Sequence, residues 1–205
     1  CVWRSLEGQV NLPACHFGWP PTLRIQCDLG CQLDFGWSPA TSGNVVEVGG
    51  RHWGSRRAKF DEVVEGVAEH ARQIQLGPGM NPDSGMGPMV SQIQQDRVCG
   101  YLDSGLSEGA EAIVGGQKAA GEGYFVEPTV LVNTTPDMKV IQEEIFGPVL
   151  SVVRVKSFED ATKLINEHEY GNGVSIYTRD GDAGRTFSSK IQVGMVGINV
   201  PIPVP

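Results

Sequence analysis

Helical and strand patterns alternate along the chain from residue 55 onward, and this alternation constrains the fold more than any other feature. Apolar residues recur at helical spacing from Phe60 to Ile74, and further helices are predicted at 91–102, 158–165 and 180–190. Runs of β-branched and apolar residues predict strands at 112–114, 124–132, 149–155, 174–177 and 193–200. Because strands that alternate with helices pair mainly in parallel, we expect an α/β fold, a mostly parallel sheet with flanking helices.

Short local motifs mark the ends of some of these elements. Ser91, with Gln94 three residues later, forms a capping-box pattern at the start of the second helix. Ser157 is placed in the same way before the next helix. Pro128 lies inside the predicted strand 124–132, and proline donates no ladder hydrogen bond, so this strand is expected at an edge or as an extended segment.

The first 53 residues differ in composition from the rest of the chain. They contain all four tryptophans and four of the five cysteines, whereas all six lysines follow residue 58. No helical or strand period is sustained there. We therefore expect an irregular Cys- and Trp-rich segment 1–53, not native to the fold, followed by the folded unit 54–205.

Three interpretations of these cysteines remain open. A metal site would use Cys15, His16, Cys27 and Cys31, although adjacent ligands at the first two positions fit zinc spacing poorly. A disulfide framework is the second interpretation. The third, which the sequence favours, is that the cysteines are unpaired and without function, so no metal site is assigned.

The charge of the chain limits its partners. A formal net charge of −8 and a pI near 5.0 argue against nucleic acid or an anionic membrane, because no basic field is present. No apolar run approaches the ~20 residues of a membrane-spanning helix. Neither the G-x-G-x-x-G nor the G-x-x-x-x-G-K-[ST] fingerprint of phosphate-binding loops occurs.

One stretch resembles a known enzyme family. Residues 142–149 read QEEIFGPV and resemble the E-E-I-F-G-P-V motif of the NAD(P)-dependent aldehyde dehydrogenase superfamily. Residues 59–91 resemble the helix and loop that follow the catalytic cysteine in that family, and residues 122–138 resemble the stretch before the motif. Residues 170–178 and 197–205 are similar to its CoA-acylating methylmalonate-semialdehyde dehydrogenase branch.

The resemblance covers residues 55–205 and implies an incomplete aldehyde dehydrogenase catalytic-domain layer. It implies NAD as cofactor and CoA as co-substrate, in the oxidation of a malonate or methylmalonate semialdehyde to an acyl-CoA in valine or pyrimidine catabolism. A homo-oligomer is expected by the same resemblance. The implied compartment is the mitochondrial matrix in a eukaryote and the cytoplasm otherwise.

Two residues of the motif are expected at the cofactor. By the resemblance, Glu144 binds the nicotinamide ribose and Phe146 packs against the nicotinamide. A carboxylate can accept two charge-assisted hydrogen bonds from a sugar diol, which suits that role. The alternative is that Glu143 and Glu144 form a solvated acidic pair that caps a helical turn. The family match favours the cofactor role for Glu144 but not for Glu143.

No catalytic residue is assigned. The family reaction needs a cysteine thiolate about a hundred residues before the ribose-binding glutamate, and residues 44–48 contain no cysteine. Cys27 and Cys31 lack the family's G-Q-x-C context, and Cys99 is expected to be a small core residue. We therefore expect this chain to have little or no activity. The alternatives are another NAD(P)-dependent aldehyde dehydrogenase, or a non-catalytic fragment that acts only by association.

Overall fold

The computed structural model describes three short strands near the start of the chain and then residues 56–178 and 180–200. The three strands are β1 (Leu23–Gln26), β2 (Gln32–Phe35) and β3 (Gly43–Val48). They lie within the segment 1–53 that was expected to be irregular. The rest of that segment, with Cys15, His16, Cys27 and Cys31, lies outside the described residues, and the boundary at residue 53 stays a prediction.

Helices and strands alternate through the remaining described residues. In chain order they are α1 (Arg56–Gln73), α2 (Gln92–Ser107), β4 (Glu111–Val114), β5 (Thr129–Thr134), α3 (Lys139–Gln142), β6 (Val149–Val155), α4 (Phe158–Glu167), β7 (Gly173–Ile176), α5 (Gly181–Lys190) and β8 (Met195–Ile198). Each helix and strand predicted between residues 55 and 205 has a counterpart here; β6 has the predicted ends, and the ends of the others are shifted.

The described strands form one four-stranded sheet and two pairs. The larger sheet has the order β3-β6-β5-β4, in which β3, β6 and β5 are parallel and β4 is antiparallel to β5. Strands β7 and β8 pair in parallel, and β1 and β2 pair antiparallel. The expected α/β architecture with a mostly parallel sheet is confirmed.

The central strands are buried on both faces because helices cover both sides of the sheet. Along β5 and β6, alternate residues point to opposite faces, as the pleat requires. One face packs against α2 and α3 through Leu131, Val149 and Val153. The other packs against α1 through Val130, Val132 and Val152. Full burial of such side chains stabilises by roughly 1.5–3 kcal/mol each, and this sheet therefore provides a rigid base for the loops at its ends.

One local expectation was wrong and one short helix was not predicted. Pro128 was expected to place this strand at an edge or in an extended segment, and the edge alternative was wrong, because β5 is interior, between β6 and β4. Pro128 lies just before the strand, and the first ladder donor is the N–H of Thr129, which donates to the carbonyl of Pro148 at 2.8 Å. Helix α3 was not predicted, because four residues are too few to show a period.

The last strand is shorter than the sequence indicated. β8 ends at Ile198 rather than at Val200, because Asn199 adopts a left-handed backbone conformation with φ of 56°. Its side-chain amide then pairs with the backbone of Thr178, accepting from the N–H at 2.8 Å and donating to the carbonyl at 2.9 Å. A side chain thus continues the ladder between β7 and β8.

Candidate functional site

The residues that carry the family motif form the loop between α3 and β6. Ile145 is buried and anchors this loop in the core next to α2. Phe146 follows with φ of 53° and a side chain that is 51% exposed. A left-handed conformation is costly for an aromatic residue and persists only where the surroundings enforce it, which occurs often at functional sites.

One face of helix α2 holds this loop residue by residue. The amide of Gln94 donates to the carbonyls of Ile145 and Phe146 at 3.1 and 2.9 Å. Arg97 donates to the carbonyl of Glu144 at 3.4 Å. The remaining contacts are those of Val98 with Gly147 and of Tyr101 with Glu143. Positions 94, 97, 98 and 101 lie at i, i+3, i+4 and i+7, which is one stripe of a helix.

The capping motif that opens α2 is only half formed. The hydroxyl of Ser91 accepts the N–H of Gln94 at 3.3 Å, as the capping-box pattern predicts. In a full capping box the Gln94 side chain would return to the backbone of Ser91. It binds the motif loop instead. The residue that the sequence indicated as part of a helix cap is therefore a contact of the candidate site.

The two glutamates have different surroundings. The hydroxyl of Tyr101 donates to Oε2 of Glu143 at 2.6 Å, which ties that carboxylate to α2. The Glu144 carboxylate is exposed and has no hydrogen bond or ion pair within the described part of the chain. Glu143 is the C-cap residue of α3, and its backbone N–H donates to the carbonyl of Lys139, the first residue of that helix.

Cationic groups surround the ring that binds Glu143. The guanidinium of Arg97 and the ammonium of Lys139 lie 5.7 and 4.9 Å from the centroid of the Tyr101 ring. The hydrogen bond between Arg97 and the Tyr101 hydroxyl, followed by the electrostatic attraction of Tyr101, raises the pKa of Arg97. Arg97, Lys139 and Glu143 are all exposed, so the attraction of these two cations for the Glu143 carboxylate is screened by solvent.

A histidine contacts α3, the helix that precedes the loop. The ring of His168 contacts the carbonyl of Ile141 through Nε2 at 2.8 Å and accepts the N–H of Tyr170 through Nδ1 at 3.1 Å. The charge of Glu169 is the main cause that raises the pKa of the Tyr170 phenol, followed by burial and the charges of the two loop glutamates. Tyr170 therefore lies within electrostatic range of the acidic pair.

The described residues contain one cysteine, and it is not placed for catalysis. Cys99 is half-buried in α2 and packs against the core, as predicted. Burial, and then the charge of Asp103, raise the pKa of its thiol, which disfavours the reactive thiolate. Cys1, Cys15, Cys27 and Cys31 lie outside the described residues, so the nucleophile, metal and disulfide interpretations of that segment stay open.

The described residues contain neither a metal-binding cluster nor a membrane-spanning helix. No group of three or more His, Cys, Asp or Glu side chains there is arranged to hold a metal ion. No helix in the described part of the chain is long and apolar enough to cross a membrane.

Comparison with known proteins decides the family. The model of the aldehyde dehydrogenase family matches residues 55–205, which include the whole loop and the α2 stripe. The chain belongs to the aldehyde dehydrogenase family. Within this family, it is 47% identical over 149 residues to a malonate-semialdehyde dehydrogenase from Pseudomonas aeruginosa, covering 71% of this chain and 30% of that protein.

Solved aldehyde dehydrogenase structures share the fold. A methylmalonate-semialdehyde dehydrogenase from Oceanimonas doudoroffii superposes with a TM-score of 0.72 at 44% identity, covering 79% of this chain and 33% of that one. An NAD+ complex of an aldehyde dehydrogenase from Bacillus cereus gives a TM-score of 0.70 at 37% identity, covering 72% and 30%. The chain thus spans about 30% of the length of the curated relatives that it matches.

The sequence identified the loop but missed the helix face that holds it. Gln94 and Arg97 attracted no functional expectation, because polar residues on a helix are usually solvated. The available signal was their spacing with Val98 and Tyr101 on one stripe. That stripe mixes polar and apolar residues, so hydrophobic periodicity alone could not single it out.

Proposed function

We propose that this chain carries part of the NAD site of a CoA-acylating malonate- or methylmalonate-semialdehyde dehydrogenase. Glu144 would bind the nicotinamide ribose and Phe146 would pack against the nicotinamide. The observation that carries the proposal is the contrast between the two glutamates: Glu143 is bonded to Tyr101, whereas the Glu144 carboxylate is exposed and unpaired within the described residues.

The residues present fit such a cofactor. An exposed carboxylate can accept both hydroxyls of a ribose diol, and the charge strengthens these hydrogen bonds. The half-exposed ring of Phe146 offers an apolar face two residues further on. When bound, NAD accepts a hydride from the substrate carbon. The part of Glu144 and Phe146 in that chemistry is to bind and orient the cofactor.

The substrate assignment rests on the relatives. A protein named malonate-semialdehyde dehydrogenase shares 47% identity over 149 residues, and a solved methylmalonate-semialdehyde dehydrogenase shares 44%. CoA as co-substrate and a homo-oligomeric state are proposed on the family resemblance, as is a reducing compartment, the mitochondrial matrix or the cytoplasm. Among the described residues nothing depends on a disulfide.

For the chain of 205 residues we propose cofactor contact with little or no turnover. The thiol of Cys99 faces the core, and its pKa is raised. Purified protein would be incubated with NAD, malonate semialdehyde and CoA while NADH absorbance is followed. Turnover that Cys31→Ala abolishes would contradict the expected inactivity and would identify Cys31 as the nucleophile.

Titration of the labelled chain with NADH, followed by amide NMR, tests the cofactor site. We expect chemical-shift changes centred on residues 144–147. Glu144→Gln should weaken binding about tenfold, as expected for the loss of charge-assisted hydrogen bonds. Glu143→Gln removes the same charge one residue away and should leave binding within about twofold of the original. Equal effects of the two substitutions, or shifts elsewhere only, would reject the proposed role of Glu144.

A further inference from the structure

The side chain of Gln94 links two parts of the chain that are far apart in sequence. Its amide nitrogen donates to the carbonyl of Ile145 at 3.1 Å and to the carbonyl of Phe146 at 2.9 Å. A primary amide nitrogen carries two hydrogens, so it can satisfy two acceptors at once. The backbone N–H of Gln94 is itself bonded to Ser91, which places the donor at a defined position in the first turn of α2.

The two carbonyls can meet one donor only because of the turn at Phe146. Successive carbonyls of an extended chain point in opposite directions. With φ of 53° at Phe146, the carbonyls of residues 145 and 146 both face α2. A left-handed conformation at an aromatic residue must be enforced from outside. The amide of Gln94 bonds both carbonyls of that turn.

The other contacts of the α2 stripe act on neighbouring residues. Val98 limits the approach of Gly147, and Arg97 reaches the carbonyl of Glu144 at a longer distance of 3.4 Å. Gln94 therefore supplies the shorter hydrogen bonds at the position where the backbone changes direction. That position separates the exposed carboxylate of Glu144 from the exposed ring of Phe146.

We infer that Gln94 is a positioning residue, whose amide holds the left-handed turn at Phe146 and thereby sets the directions of the Glu144 and Phe146 side chains. The consequence for NAD rests on the proposed function above. The conformational part does not, because it concerns the chain without ligand. Both hydrogen bonds of the Gln94 amide nitrogen go to the backbone of the loop.

Gln94→Met tests the inference, because methionine has similar length and no hydrogen-bond donor. Gln92→Met is the matched control, since Gln92 is exposed in the same helical turn. The first measurement is the amide-to-Hα NOE within Phe146 in the ligand-free chain, which is strong when φ is positive. The second is the NADH titration by amide NMR, and a cooperative thermal transition shows beforehand that each variant is folded.

We expect Gln94→Met to lose the strong NOE at Phe146 and to bind NADH about tenfold more weakly, as the loss of two hydrogen bonds predicts. Gln92→Met should match the original protein in both measurements. If Gln94→Met does not fold, Gln94→Glu replaces it, because it keeps the shape and removes the amide donors at neutral pH.

The outcomes separate this inference from the proposed function. An unchanged NOE in a folded Gln94 variant rejects the positioning role, whatever NADH does. A lost NOE with unchanged NADH affinity rejects the link between the turn and the cofactor. If the original chain shows no NADH-dependent shifts at 144–147, the proposed function fails, and the NOE still decides whether Gln94 holds the turn.

Discussion

Gly147 lies against Val98 with no room for a methyl group between them. A Cβ built on Gly147 would be 2.6 Å from Cγ2 and 2.8 Å from Cγ1 of Val98. Both residues are buried, and Val98 belongs to the core beneath α2. The glycine of the family motif is therefore required here by packing, because the loop must approach the helix closely for Gln94 to reach its carbonyls.

Gly147→Ala should destabilise the protein by about 1–3 kcal/mol, the usual cost of overpacking a filled core. Urea unfolding followed by circular dichroism measures this change. Gly100→Ala is the control, because Gly100 is exposed in α2, the helix that carries Val98, and a Cβ at Gly100 meets nothing within 4 Å. It should raise stability by about 0.5–1 kcal/mol, since alanine is the better helix former. Effects of the same sign in the two variants would contradict the packing argument.

Tyr101→Phe removes the hydroxyl that donates to Glu143 at 2.6 Å and leaves the ring in place. We expect a loss of about 1.5–3 kcal/mol in the free energy of unfolding, typical of a hydrogen bond to a charged group. Tyr124→Phe serves as the control, since this side chain is 42% exposed. A Tyr124→Phe loss as large as that of Tyr101→Phe would show that the bond to Glu143 adds nothing measurable.

Substitutions of Asn199 should separate backbone conformation from side-chain pairing. Glycine accepts a φ of 56° but loses the two hydrogen bonds to Thr178, whereas alanine loses them and is also strained. Asn199→Ala should therefore be less stable than Asn199→Gly by about 1 kcal/mol, the penalty of a left-handed residue with a Cβ. Denaturant midpoints compare the two variants, and the reverse order would contradict the left-handed conformation.

His70 should make the protein less stable in mild acid. Burial in α1 lowers the pKa of His70 below its ordinary value of 6.5, so the folded state binds the proton less readily than the unfolded state. The stability that the neutral His70 contributes is therefore fully present above its ordinary pKa of 6.5. It is lost as the pH falls from that value toward the lowered pKa of the folded state. Urea midpoints at about pH 7.5 and about pH 5.5 bracket this range. The loss between them should shrink in His70→Gln, and an equal loss in both proteins would exclude His70 as its source.

Local patterns predicted most of the described elements, because their causes are local. The helical spacing of α1, the serine caps of α2 and α4 and the β-branched run of β6 depend on residues close in sequence. Ser157 accepts the N–H of Asp160 at 3.0 Å, as its position indicated. The missed helix α3 and the misplaced start of β5 are short features whose ends are determined by contacts with other elements.

The sequence by itself determined the order of helices and strands from residue 55, apart from the short helix α3, and, through the family motif, the stretch expected at the cofactor. The tertiary structure decided which of two adjacent glutamates is tied to the fold and what holds the turn at Phe146. Tyr101 is 42 residues from Glu143, and Gln94 is 52 residues from Phe146. Periodicity and capping rules act over three or four residues. Contacts of that sequence separation arise only when α2 packs against the sheet end that carries the loop.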